Sequence, residues 1–232
     1  MIAKRSLAFG PDSLLIFLTM LPVTGVVPIL KVFVMDGYGA NEFQTHLFLS
    51  FSMASGFLFA PIVGAWADHW GKRRRLILLA TLGDAVCFAL MPFAPSYGAL
   101  MAIRFVEGIA HISVLSLLLA TAGHRAEHNH SAAMGAAGAV LTLGIALGSP
   151  LGGALGELDP AYALLAGATI MLVVALLSLM LLPRDSVQAG ALPPRQIFRT
   201  LYKFPALRLP FLFAFLDRFT VGFLVAGFPV YA

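Results

Sequence analysis

Long apolar stretches alternate with short polar ones along this chain, and the lengths of the apolar stretches set the first expectation. They run from about Ser13 to Val34, Phe43 to Ala67, Leu76 to Phe93, Tyr97 to Ala122, Ser131 to Gly156 and Ala161 to Leu182, and a last one begins near Leu209. A helix needs about 20 mostly apolar residues to cross the hydrocarbon core of a bilayer. The pattern therefore predicts six membrane-spanning helices and a seventh apolar segment. Pro22, Gly25 and Pro28 interrupt the first span, which predicts a bent helix facing protein, because backbone groups freed inside a membrane need neighbours to satisfy them. After Pro183 the chain turns polar, and Ile197, Leu201 and Phe204 recur at helical spacing while Arg195, Arg199 and Lys203 point elsewhere. That is the pattern of a short amphipathic helix lying on a membrane surface. The expected organisation is a transmembrane bundle over 1–182, a linker over 183–207 and a seventh helix over 208–232.

Composition sharpens the class. Hydrophobic residues make up 59% and charged ones 11%, with mean hydropathy +0.90, whereas soluble domains carry about 25% charged residues. A net charge of +4 would suit a nucleic-acid partner, but the basic residues sit in loops between apolar spans rather than along one solvated face. Twelve of the 15 Lys and Arg fall at Lys4 and Arg5, Lys72 to Arg75, Arg125, and the linker from Arg184 to Arg208. Positive loops stay cytoplasmic, so the N-terminus and linker are expected inside the cell. Lys4 and Arg5 before an apolar run imitate a secretory signal, yet the run is too long and ends in no small-residue cleavage site. The single cysteine, Cys87, lies in an apolar stretch, where it reads as a buried packing residue that forms no intrachain disulfide.

Ionisable residues inside spans are functional candidates, because each costs about 2.5 to 3.5 kcal/mol to insert. Asp84 lies near the middle of the third span, and Arg104, Glu107 and His111 stack on one face of the fourth. By helical rise, Asp84 and Arg104 fall at similar depth, roughly 13 Å and roughly 10 Å from opposite ends of their helices. Arg104 is expected to pair with Asp84, or locally with Glu107. A structural ion pair and a proton-coupling role are the two readings of this set. Asp217, next to Arg218, is a further candidate in the seventh segment. His124, His128 and His130 share a polar loop without companion ligands, so no metal is expected there. No phosphate-binding glycine loop with Lys and Ser or Thr is present, which argues against a built-in ATPase.

Three motifs carry a resemblance. The stretch Gly64-Ala65-Trp66-Ala67-Asp68-His69-Trp70-Gly71-Lys72-Arg73-Arg74-Arg75 joins the second and third spans. It resembles the loop at that position in the major facilitator superfamily of secondary transporters, with His69 where Arg is usual. In the fourth span, Arg104-x-x-Glu107-Gly108 is similar to the family's Arg-x-x-Gln-Gly. In the fifth, Gly135, Gly144, Gly148, Gly152 and Gly153 resemble the antiporter motif Gly-x8-Gly-x3-Gly-Pro-x-x-Gly-Gly, with Pro150 one place late. Physically, Gly144, Gly148 and Gly152 form a smooth packing face, and Pro150 frees a carbonyl and bends the helix.

The resemblance implies an all-α integral membrane fold: a six-helix N-terminal bundle, an amphipathic linker and a seventh transmembrane helix. That helix would open a second bundle, so a missing C-terminal bundle is expected as a partner. The implied function is secondary transport by alternating access in the plasma membrane, not an enzyme reaction. The implied mode is proton-coupled efflux (antiport) of a small-molecule substrate such as a drug, with protons and the lipid bilayer as partners and neither cofactor nor nucleic acid. The resemblance makes Gly64, Asp68, Gly71, Lys72 and Arg73 a conformational latch. It lets Arg104, Glu107 and His111, with apolar residues around Thr24, line the cavity, and it puts Asp84 on a peripheral helix. Glu107 is the favoured proton carrier. Symport or uniport of a sugar or other metabolite stays open, as does a truncated membrane protein that acts only by assembling with another chain. A seven-helix receptor is opposed by the cytoplasmic N-terminus and by the lack of lysine in the seventh segment.

Overall fold

The computed structural model describes residues 10–125 and 129–183, together with Leu209, Leu212, Phe213 and Leu216. The expected linker from residue 184, its amphipathic helix, and Asp217 lie outside the described residues. Over residues 10–183, leaving aside the undescribed 126–128, six α-helices follow one another: α1 (Pro11–Gly25), α2 (Glu42–Trp70), α3 (Arg73–Leu90), α4 (Tyr97–Arg125), α5 (His130–Gly156) and α6 (Pro160–Leu181). Among the described residues, five of these are long and apolar enough to cross a membrane, and α1 is shorter.

Among the described residues, the departure from the apolar pattern is in the first span. It is two helical pieces rather than one bent helix: α1 stops at Gly25, and the chain resumes as a π-helical stretch over Lys31–Asp36. Pro28 explains the break, since it brings no N–H to the Thr24 carbonyl. Val27 N donates to Thr24 O instead, at 3.2 Å, and Leu30 N donates to Val27 O at 3.3 Å, which tightens the chain into a turn.

The other helix ends follow local chemistry. Asn41 and Gln44 cap α2 reciprocally at 2.8 and 2.9 Å, and Asn129 and Asp159 accept from the first free N–H groups of α5 and α6. Gly71 ends α2 in the left-handed conformation, φ 59°, where a side chain would be strained. Because α2 continues to Trp70, the hinge narrows to Gly71 and Lys72.

In the bundle α1 packs on α5 and α6, α2 on α4, and α3 on α4 and α6. The buried apolar side chains form two layers. One gathers Leu30, Phe48, Phe88, Met91, Leu100 and Met171. The other, at the hinge end, gathers Leu15, Ile16, Ala67, Ile77, Val114 and Leu118. Along α2, α3 and α4 the residues between these layers include Ser52, Asp84, Arg104, Glu107 and His111, all buried.

The α1–α5 contact depends on missing side chains. A Cβ at Gly144 would meet the Phe17 carbonyl and Met20, one at Gly148 would meet Thr24 and the Leu21 backbone, and one at Gly152 would run into the Gly25 backbone. Gly135 has open space around it and Gly153 makes only ordinary contact with Pro28, so three of the five motif glycines build the seam. Gly64, expected to permit close helix approach, also faces open space among the described residues; Gly71 alone carries the conformational demand of that motif. Gly108 of α4 is a second close contact, against the Ser52 backbone and Ser55 of α2. Helix α5 runs unbroken through Pro150, which lies on its exposed side.

Overpacking a tight contact costs roughly 1–3 kcal/mol or more. Gly148→Leu is therefore expected to lower the thermal unfolding midpoint of the detergent-solubilised protein, while Gly135→Leu leaves it nearly unchanged. Equal effects from both substitutions would contradict the seam.

Candidate functional site

Helix α4 presents Arg104, Glu107 and His111 at spacings of three and four residues, so all three lie on one side, facing α2 and α3. From α3 comes Asp84 and from α2 come Phe48 and Ser52. Arg104, Glu107 and Asp84 are fully buried and His111 is nearly so. Among the described residues they fill the interior between α2, α3 and α4.

The pairing is specific. Arg104 Nη1 lies 3.0 Å from Glu107 Oε2, an ion pair whose geometry falls short of an aligned hydrogen bond. Ser52 Oγ donates to the same Glu107 oxygen at 2.9 Å. The guanidinium also sits over the Phe48 ring, 4.8 Å from its centroid, which adds an attraction to the ring's negative face. Asp84 does not reach Arg104; its Oδ2 is 3.1 Å from His111 Nδ1. Of the two pairings open to Arg104 in the sequence, the local one forms, and Asp84 takes the histidine.

Several polar atoms are left over. Asp84 Oδ1, Glu107 Oε1, His111 Nε2, and Arg104 Nε and Nη2 are buried without a hydrogen-bond partner among the described residues. Such groups are rare in a protein interior and call for an explanation. One atom each from Asp84, Glu107 and His111 falls within 4.8 Å of the others, which is a possible cation-binding set. The Arg104 guanidinium already supplies the positive charge beside Glu107, so the cluster is an ion network and no metal ligands are assigned.

The hinge is built differently. Asp68 accepts from Arg73 Nη2 at 2.5 Å, with both side chains partly exposed; such a surface pair contributes about 0–1 kcal/mol. Arg74 Nη2 donates to the carbonyl of Leu179 near the C-terminal end of α6, tying the start of α3 to that helix. Lys72 is exposed. Trp66 and Trp70, which no motif marks, stack 5.6 Å apart at the end of α2, both about half-exposed. Ser52 and Phe48 likewise carry no signal as partners of the ion network: a serine and a phenylalanine four residues apart on an apolar helix read as packing.

A bundle of membrane-length apolar helices enclosing a buried ion network defines a multi-pass membrane protein. The chain belongs to the Major Facilitator Superfamily, whose sequence profile matches residues 13–232. It is 25% identical over 192 residues to the class H tetracycline resistance protein of Pasteurella multocida, covering 79% of this chain and 48% of that protein. It is 28% identical over 215 residues to the multi-drug resistance efflux pump PmrA of Streptococcus pneumoniae, covering 89% of this chain and 52% of the pump. Human major facilitator superfamily domain-containing protein 10 is 34% identical over 121 residues, 51% of this chain and 26% of that protein. The family is one of transporters, not enzymes. The chain spans about half the length of the first two relatives.

Removing one partner of a buried ion pair strands the other, at about 3–5 kcal/mol. Glu107→Leu is expected to destabilise the purified protein by that order, and Arg104→Met combined with Glu107→Leu is expected to destabilise it less than Glu107→Leu alone. Thermal unfolding of these variants in detergent checks the coupling; additive losses would mean that the two side chains do not neutralise each other.

Proposed function

We propose that this protein exports small organic molecules, drugs among them, in exchange for protons, by alternating access between this bundle and a second one. The observation that carries the proposal is the buried network of Arg104, Glu107, Asp84 and His111, which puts titratable groups, several of whose polar atoms have no hydrogen-bond partner among the described residues, in the middle of an apolar bundle. Ionisable groups at that depth are costly, and proton relays are among their main uses. The name of the multi-drug resistance efflux pump PmrA supports the outward direction of transport.

The second bundle has a place to dock. Helices α2 and α5 are the least covered of the long helices, with 28% and 22% of their apolar windows buried against 39–44% for α3, α4 and α6. Gly64 lies on α2 with nothing within 4 Å, so a second bundle can approach closely there. The basic loops put the hinge, with Asp68 and Lys72 to Arg75, on the cytoplasmic side of the plasma membrane together with the N-terminus. The half-exposed Asp68 is then free to exchange Arg73 for a partner on the second bundle as the cavity changes side.

Transport is tested with the protein as its native host produces it, reconstituted in liposomes, with tetracycline and ethidium as probes. An imposed pH gradient is expected to drive probe movement, and collapsing the gradient is expected to stop it. Glu107→Gln keeps the shape but removes the charge that Arg104 requires, so it is expected to abolish the gradient-driven flux. Probe flux indifferent to the gradient would sink the antiport reading.

A further inference from the structure

The buried network contains two pairs, and they are not equivalent. Arginine keeps its proton in proteins. Glu107 Oε2 faces that guanidinium at 3.0 Å and accepts from Ser52, whereas Asp84 meets His111 instead, so protonating Glu107 would strip the guanidinium of the carboxylate in contact with it. This pair is neutral and closed. The second pair is open: with Asp84 ionised and His111 neutral, the network carries one net negative charge in a place without solvent contact. A single added proton makes it neutral, and a buried net charge is strongly disfavoured.

We infer that the Asp84–His111 pair, rather than Glu107, is the proton-binding site of this bundle, taking the proton at His111 Nε2, with Arg104–Glu107 as a fixed ion pair beside it. This rests on the proton-coupled reading above and assigns its site. Before uptake one hydrogen lies between His111 Nδ1 and Asp84 Oδ2, 3.1 Å apart, and Nε2 holds a lone pair. Uptake forms one N–H bond at Nε2 and breaks none within the pair; release returns the electron pair to the ring. Nε2 is the atom of the pair's imidazole that no described residue engages, so it is the point of exchange.

The surroundings support a single exchangeable proton. Arg104 and Glu107 face the pair from α4, and α2 contributes the Ser52 hydroxyl to the network. On α3 itself the nearest titratable neighbour along the chain is Cys87, one helical turn on and buried. Helix α6, packed on α3, has no charged residue or histidine along its length, and neither does α5 beyond His130. The acidic residue of α1, Asp12, lies in its first turn at the hinge end.

The test is nitrogen NMR of the histidine-labelled, full-length protein in lipid nanodiscs, with the His111 signals identified by their loss in His111→Gln. As pH falls from about 9 to about 5, the range where histidine titrates, Nε2 of His111 is expected to change from a bare to a protonated nitrogen. Asp84→Asn is expected to remove that change, and Asp84→Glu, which keeps the carboxylate, to retain it. An Nε2 that stays in one state across the range, or an Asp84→Asn protein that titrates like the original, would overturn the inference. The wild-type titration decides even if Asp84→Asn does not fold. A titrating His111 in a protein whose probe flux ignores the pH gradient sinks the antiport reading and leaves this site standing; coupled flux with a silent His111 does the reverse.

Discussion

Four ionisable side chains buried between three helices must neutralise one another, and much of this bundle is arranged around that requirement. A charge in the middle of an apolar bundle has no water to turn to. Arg104 therefore takes the nearest carboxylate, Glu107, one turn along its own helix, and the Phe48 ring beneath it. For Ser52 to reach the same carboxylate, α2 must lie close to α4, and it does so because Gly108 offers no side chain between the Ser52 backbone and the α4 axis. The ion network and the tight α2–α4 contact are thus one feature. Two apolar layers close it above and below.

The second constraint is the seam between α1 and α5. Lipid is as apolar as the helices it surrounds, so helices associate in a membrane through close packing rather than by escaping water. Gly144, Gly148 and Gly152 bring α5 onto the backbone of α1 from Phe17 to Gly25. The seam ends where α1 ends, at the turn that Pro28 enforces. Three glycines of α5 are the physical means by which that helix is held against a short, broken one.

The hinge shows how differently neighbouring elements are stabilised. Its ion pair is solvated and weak, its glycine turn is obligatory, and its link from Arg74 to the end of α6 fastens one helix terminus to another. A weak, exchangeable contact on a rigid turn suits a segment proposed to change partners, whereas the network of Arg104, Glu107, Asp84 and His111 is buried.

Among the described residues the positions of the long helices α2 to α6 were legible in the sequence, because membrane thickness demands a run of apolar residues and the polar loops interrupt it; the expected seventh helix lies outside the described residues but for four of its positions. Helix ends agreed to within a few residues except in the first span, where Pro22, Gly25 and Pro28 announced a disruption without saying whether the chain would bend or break. The depth of Asp84 and the shared face of Arg104, Glu107 and His111 were also readable, since both follow from helical periodicity alone. Which carboxylate meets the arginine was not: that depends on how α3 is rotated and how closely it approaches α4, and rotation is set by packing on α6 as much as by α4 itself. For the same reason the glycines of α5 looked alike in the sequence, while only the placement of α1 separates the three that are needed from the two that are not. Local chemistry determined the described elements of this protein; the contacts between helices, made at distances where one Cβ matters, decided which of the buried charges are paired with which.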